Sequence, residues 1–379
     1  MSTTVPGTFY RPESQTLRYL AEPKLMPGRF LTTIICIAAL ATTTVFAKEN
    51  DINTGSVRLI QMAEGIYAIS PNFAGANGAL ILNESGNIVI DTHGTPASAR
   101  ALINAVSTIS DTPIRYVVNT HWHVDHHSGN PAYQSAFDDD IIFISHDETR
   151  NEIPTLGAEQ FGQAASFRSI PVQAADKALA ENVDEHGEPL TTEQITAIKA
   201  FRDEQIEFAE QQDYSYTLAN LTYSKSVTLH GDPNTVEIFF LHPAHTKSDS
   251  IVYVRDQEIL IVGDLLTQPI LWSWSSYPSS YVLTLKALEQ LPVKKIVIGH
   301  GGPVLEGKSY LTQVRQFLEA TVAHATISHS AGLNEEDAIE AAASSTVIEG
   351  FRRSFVSNEE DGMFDQMVGW TITRAYMEL

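Results

Sequence analysis

Tyr116-Val117-Val118-Asn119-Thr120-His121-Trp122-His123-Val124-Asp125-His126 is the stretch from which the rest of the chain can be read. It opens on an apolar, β-branched run of the kind that forms a buried strand, and leads without a turn into three histidines and an aspartate. His121 and His123 alternate on an extended or tightly turned backbone, so both imidazoles can face one ion. Asp125 and His126 then curl toward a second position. Imidazole and carboxylate together suit zinc, and also iron or manganese. Three histidines this close to a carboxylate at a strand end rarely act as plain surface residues.

Downstream, more ligand-type residues stand at strand ends. His245 in His242-Pro243-Ala244-His245-Thr246 follows the apolar run Val236 to Phe240, Asp264 follows Ile259 to Val262, and His300 in Gly299-His300-Gly301 follows Lys295 to Ile298. The strand ends thus supply a full set for two ions. Upstream, Ile66 to Ile69, Ala79 to Leu82 and Ile88 to Ile90 alternate with turn residues from Val57 to Asp91, which predicts an antiparallel meander. Ala101, Leu102, Ala105 and Val106 have helical spacing within Pro96 to Ile109, and another strand is expected at Ile141 to Ile144.

Residues from about 148 to 215 are rich in Ala, Gln and Glu and lack a strand pattern, so they read as a helical insertion with a helix at Thr192 to Glu210. Strand patterns resume at Val227 to Leu229 and at Ile251 to Val254, and from Ser309 onward the chain reads as helices with an apolar face of Tyr310, Val314 and Phe317. Meander, helix and strand, followed by the same again, predict an α/β fold, an αββα sandwich of two mixed sheets with outer helices. The expected organisation is an N-terminal extension over residues 1–47, one domain over 48–305, and helices over 306–379 packed on that domain.

With these residues in place, the chain resembles the metallo-β-lactamase-fold hydrolase superfamily from about Val57 to Gly302. The resemblance implies that His121, His123 and His245 hold one metal ion, that Asp125, His126 and His300 hold a second, and that Asp264 bridges both. It implies two divalent ions, Zn2+ first with Mn2+ or Fe2+ as alternatives, sharing a hydroxide that attacks the substrate, with Asp125 orienting it and passing its proton to the leaving group. β-Lactamases of this fold place Cys or Ser where this chain has Asp264. The chain is therefore closer to the glyoxalase, lactonase and general hydrolase branches, and an ester, lactone or related carboxylic-acid derivative is the expected substrate. Periplasmic β-lactamase activity and a mononuclear-iron sulfur dioxygenase are the alternatives.

Composition narrows the setting. A formal charge of −22, spread along the chain, repels nucleic acid and anionic lipid, so a small-molecule substrate is expected. Arg29, the apolar run Phe30 to Ala41 and Val45-Phe46-Ala47 have the layout of a cleavable signal, with cleavage after Ala47 and a periplasmic or secreted product free of the membrane. Residues 1 to 25 are a polar extension ahead of that signal, which makes Met26 a candidate start. Cys36, the one cysteine, would be removed with the signal, leaving neither a thiolate ligand nor a Cys nucleophile.

The remaining candidates concern the substrate cleft and the histidines beside the ligands. Trp272, Trp274 and Tyr277 follow Asp264 on an aromatic loop read as Leu265 to Tyr281, and are candidates for a wall of the substrate cleft opposite Phe73 in the Gly-rich turn Asn72 to Gly78. His127 and His242 lie beside ligands, and His93 ends a strand on the same rim with a turn role expected.

Overall fold

The computed structural model describes residues 52–53, 57–71, 75–164, 169–183, 188–210, 214–356 and 361–379. The expected signal segment and Phe73 lie outside the described residues.

Strands β1 (Ile52–Asn53), β2 (Val57–Ala63), β3 (Ile66–Pro71), β4 (Gly78–Ile81) and β5 (Asn87–Ile90) form the expected antiparallel meander. Strands β6 (Ile114–Val118), β7 (Ile142–His146) and β8 (Leu221–Tyr223) extend it in parallel, and all eight lie in sequence order in one mixed sheet. The second sheet runs β14 (Val304–Glu306), β13 (Lys295–Val297), β12 (Ile259–Ile261), β11 (Ile251–Val254), β10 (Val236–Phe239) and β9 (Ser226–Leu229), with β12 and β13 its parallel pair.

Two-residue periodicity decides which side chain meets which layer. Ile88 and Ile90 point between the sheets, where Val252, Val254 and Ile261 meet them. Val89 points the other way, toward Leu102 and Val106 of the helix Pro96–Ile109 and Tyr133 of the helix Asn130–Phe137. On the far side, Ile251, Tyr253 and Ile296 pack against Phe317 of Ser309–Ser330, Leu285 of Pro278–Glu289 and Phe364 of Asp361–Met377. Strands buried on both faces read as continuous apolar runs, and these do. The layers are helices, sheet, sheet, helices.

Helix ends follow local chemistry. Thr95 accepts a hydrogen bond from the Ser98 N–H and Pro96 occupies the first turn of Pro96–Ile109, removing orphan donors at its start. Pro278 does the same for Pro278–Glu289, so the segment expected as a loop to Tyr281 is helical in its last residues, and Tyr281 is a core side chain. Among the described residues, no helix is long and apolar enough to cross a membrane.

Candidate metal centre

The ligand-type residues gather where strand ends of the two sheets meet. Asp91 follows β5, His121 and His123 follow β6, and Asp125 and His126 lie in the short helix Val124–His127. From the second sheet come His245 after β10, Asp264 after β12 and His300 after β13. Ligating atoms of His121, His123, His245 and Asp264 lie within 4.8 Å of one another, and so do those of Asp125, His126 and His300. The structure thus brings together all seven residues expected to hold metal, with Asp264 grouping with His121, His123 and His245.

Asp264 joins the sets. Its Oδ2 stands 3.5 Å from His245 Nε2 and 3.9 Å from His121 Nε2, while its Oδ1 stands 3.2 Å from His126 Nε2 and 3.5 Å from His300 Nε2. His123 Nδ1 and His245 Nε2 converge to 3.0 Å, and Asp125 Oδ2 lies 3.1 Å from His300 Nε2. His121 Nε2, His126 Nε2 and Asp264 Oδ1 are buried without a hydrogen-bond partner. Buried polar atoms are normally paired, so three orphans aimed at one place fit cations that would satisfy them.

Electrostatics separate the two sets. Burial, with neighbouring imidazoles adding to it, holds His121 and His123 well below the usual histidine range, which leaves them neutral donors of a lone pair. Burial works in the same direction on His126 and His300, yet there the carboxylates win. Asp264, Asp125 and Asp91 raise His126 well above its ordinary value, and Asp264 with Asp125 lifts His300 to about 10. The same contacts, against burial, hold the Asp125 and Asp264 carboxyls well below the carboxylate range. This half of the centre favours positive charge, which protons or a metal ion can supply. Access differs within the second set: His300 and Asp125 are 25% and 35% exposed, whereas His126 at 0% is as buried as His245 and His121 at 0% and 1%.

Several supporting residues escape sequence reasoning. Asp91 Oδ1 accepts from the Thr120 N–H at 2.8 Å, and its Oδ2 pairs with His126 Nδ1 at 2.7 Å and accepts from Thr120 Oγ1 at 2.8 Å. Thr120 Oγ1 is in turn 3.0 Å from His121 Nδ1, so one carboxylate supports a ligand of each set. An aspartate closing the run Ile88 to Ile90 was the available signal, since it stands to its strand as the ligands stand to theirs. Ser275 Oγ donates to the His245 carbonyl at 2.9 Å and lies 3.4 Å from His123 Nε2. Asn77 ties the turn before β4 to the His300 turn, through its N–H to Gly299 O at 2.7 Å and its side-chain amide to Ile298 O at 3.0 Å. At Gly299 itself no side chain is tolerated, because a Cβ would overlap Asp264 Oδ1.

The aromatic candidates and the neighbouring histidines part company. Trp274 stacks on His123, ring centroids 4.8 Å apart and planes 16° apart, and is 38% exposed beside the ligand. Trp272 lies against Trp370, 5.7 Å between centroids, and the Tyr277 ring lies under the Arg374 guanidinium. Tyr281 donates to the backbone carbonyl of Leu265 at 2.7 Å beneath the ligand turn. His93 is buried with Nδ1 bonded to Ala76 O, and His127 is buried with Nε2 3.0 Å from Trp122 O.

A family model described as the metallo-beta-lactamase superfamily matches residues 72–300, a span that contains all seven ligand-type residues. Among solved structures, the chain is similar to a metallo beta lactamase from Erythrobacter litoralis with beta mercaptoethanol in the active site. The two share 17% identity and a TM-score of 0.48, over 72% of this chain and 100% of that one. It is also similar to a metallo-beta-lactamase from Pontibacter korlensis, at 19% identity and a TM-score of 0.47, over 69% of this chain and 99% of that one.

Proposed function

Because the chain belongs to the metallo-beta-lactamase superfamily, we propose that it is a metal-dependent hydrolase with two divalent ions that cleaves an ester, a lactone or a related carboxylic-acid derivative. The observation that carries this reading is Asp264, whose two oxygens face the two ligand sets. His121, His123 and His245 would hold one ion, and Asp125, His126 and His300 the other, with zinc foremost and manganese or iron(II) as alternatives. Ions so held lower the pKa of water toward neutrality and polarise a carbonyl oxygen.

The chain's own residues supply the rest. Asp264 would set a negative charge between two cations held by these sets. Asp125, the more open of the two carboxylates, would accept the proton of the attacking water and return it to the leaving oxygen as the carbon–oxygen bond breaks. Trp274 offers a flat apolar surface for the part of the substrate that does not react. An aspartate at position 264, rather than Cys or Ser, supports the ester and lactone class over β-lactams. The N-terminal signal pattern supports action outside the cytoplasm on a small molecule.

Screening the zinc- and manganese-loaded protein against lactones, esters, thioesters, β-lactams, phosphodiesters and sulfate esters tests the proposal. Turnover of an ester or lactone is expected, with Asp125→Asn retaining at least one ion and losing most of that turnover. Unchanged turnover in Asp125→Asn removes Asp125 from the mechanism. One bound iron, with oxygen uptake on a persulfide and no hydrolysis, would replace the hydrolase reading with an oxidative one.

A further inference from the structure

The helix that carries Asp125 and His126 has a defect at its start. It spans Val124–His127, and its N-cap position is His123, whose side chain is turned to the ligand cluster and makes no cap. The Val124 N–H would then be an orphan donor. It is not, because Gln160, thirty-six residues onward in the helix Ala158–Ala164, accepts from it through Oε1 at 2.9 Å. The insertion therefore caps a helix it does not belong to.

Other contacts of the inserted region fall on the same machinery. Thr149 donates to Ser248 O at 3.0 Å, on the loop that carries His245. At the far end of the insertion, Tyr214 OH lies 3.1 Å from His127 Nε2. A Cβ at Gly157 would meet Tyr214 OH at 2.7 Å and Trp122 O at 3.4 Å, so the backbone of the π-helical turn Ile153–Gly157 passes directly over the ligand motif. Such turns concentrate at functional sites.

We propose that the helical insertion is the outer support of the metal centre, and that Gln160 is a positioning residue for the second ion because its side-chain carbonyl caps the helix bearing Asp125 and His126. The inference rests on the two-ion reading given above. Asp125, in the first turn of that helix, is 35% exposed while His126 is 0% exposed, so the carboxylate has less packing of its own to hold it.

Zinc titration of the whole protein against a competing chromophoric chelator separates the possibilities, with His300→Ala identifying the step that belongs to the second set. Gln160→Ala is expected to weaken that step about tenfold and leave the other unchanged. Gln160→Glu keeps an acceptor for the Val124 N–H and is expected to stay within about threefold of the parent, since a negative charge at a helix start is favourable. An unchanged second step in Gln160→Ala overturns the capping role while leaving the two-ion reading intact. Equal weakening of both steps in both variants would show Gln160 to be general packing and overturns it too. A parent protein that binds no second ion overturns both readings.

Discussion

Replacing Asp91 by Asn isolates what one buried carboxylate does for the centre. The backbone accepts the change, because Asp91 has φ 59° and Asn tolerates that left-handed conformation well. Size is conserved too. What changes is that one of the two acceptor atoms becomes an NH2 donor. With the remaining oxygen toward the Thr120 N–H, the new donor faces His126 Nδ1, which Asp91 Oδ2 now meets at 2.7 Å. Two donors cannot share that distance. His126 escapes by moving its proton to Nε2, the atom 3.2 Å from Asp264 Oδ1 that would hold the metal. Turning the amide over only transfers the conflict to the Thr120 N–H. A lost charge-assisted hydrogen bond is worth about 1.5–3 kcal/mol, and about 1.4 kcal/mol is a factor of ten in affinity. The second ion should therefore bind roughly 10- to 100-fold more weakly in Asp91→Asn, the range usual for loss of a group that orients a ligand. The first ion should lose less, since His121 is reached only through Thr120. Two-step zinc titration and thermal melting with and without zinc measure this. Unchanged affinity at both steps would refute the idea that Asp91 selects the His126 tautomer.

Gly299→Ala would push the Asp264 carboxylate out of position and should weaken both ions together. Gly302→Ala, whose Cβ would meet only the flexible end of Gln268 at 3.2 Å, should behave as the parent, and two parent-like steps in Gly299→Ala would show that Asp264 does not bridge. Glu152 gives a pH signature. Burial raises its carboxyl to about 8 from 4.5, with Lys247 opposing and Glu148 and Asp249 adding. Between those values the folded chain holds a proton the unfolded chain has lost, so this group's stabilisation is complete below the lower value and declines as pH rises toward the upper one, by up to about 1.4 kcal/mol per unit. Urea unfolding of Glu152→Gln should therefore show a shallower decline than the parent from pH 5 to 8.5, and parallel curves would contradict the shift.

The parts of the fold legible in the sequence were those with a repeating cause. Ile88 to Ile90 and Ile251 to Val254 are buried on both faces and read as strands without ambiguity, and the histidine cluster announces itself by density alone. Strands β8 and β14 are three residues each and mostly not buried, so they lack the apolar run that marks β12 and β13 at the same length. The helix Pro278–Glu289 was hidden because Pro278 reads as a loop stiffener until its place in the first turn is seen. Gln160 acts across 36 residues of chain on Val124 and nothing local marks such a partner, whereas Asp91, 35 residues from His126, carried the one signal of a carboxylate closing a strand. Trp274 and Trp272, two positions apart, were equivalent on paper. The turn of the backbone sends one to His123 and the other to Trp370.

The placement of ligands on both sheets has a consequence for folding. His121, His123, Asp125 and His126 follow strands of the first sheet, and His245, Asp264 and His300 follow strands of the second. Any ion held there staples the two halves of the molecule together at one edge, while the apolar layer around Ile90 and Val252 glues them across the middle. Metal affinity is then part of the adhesion between halves. Conditions that strip such ions would loosen the seam itself, and the ligand cluster would double as the clasp that keeps the sandwich shut.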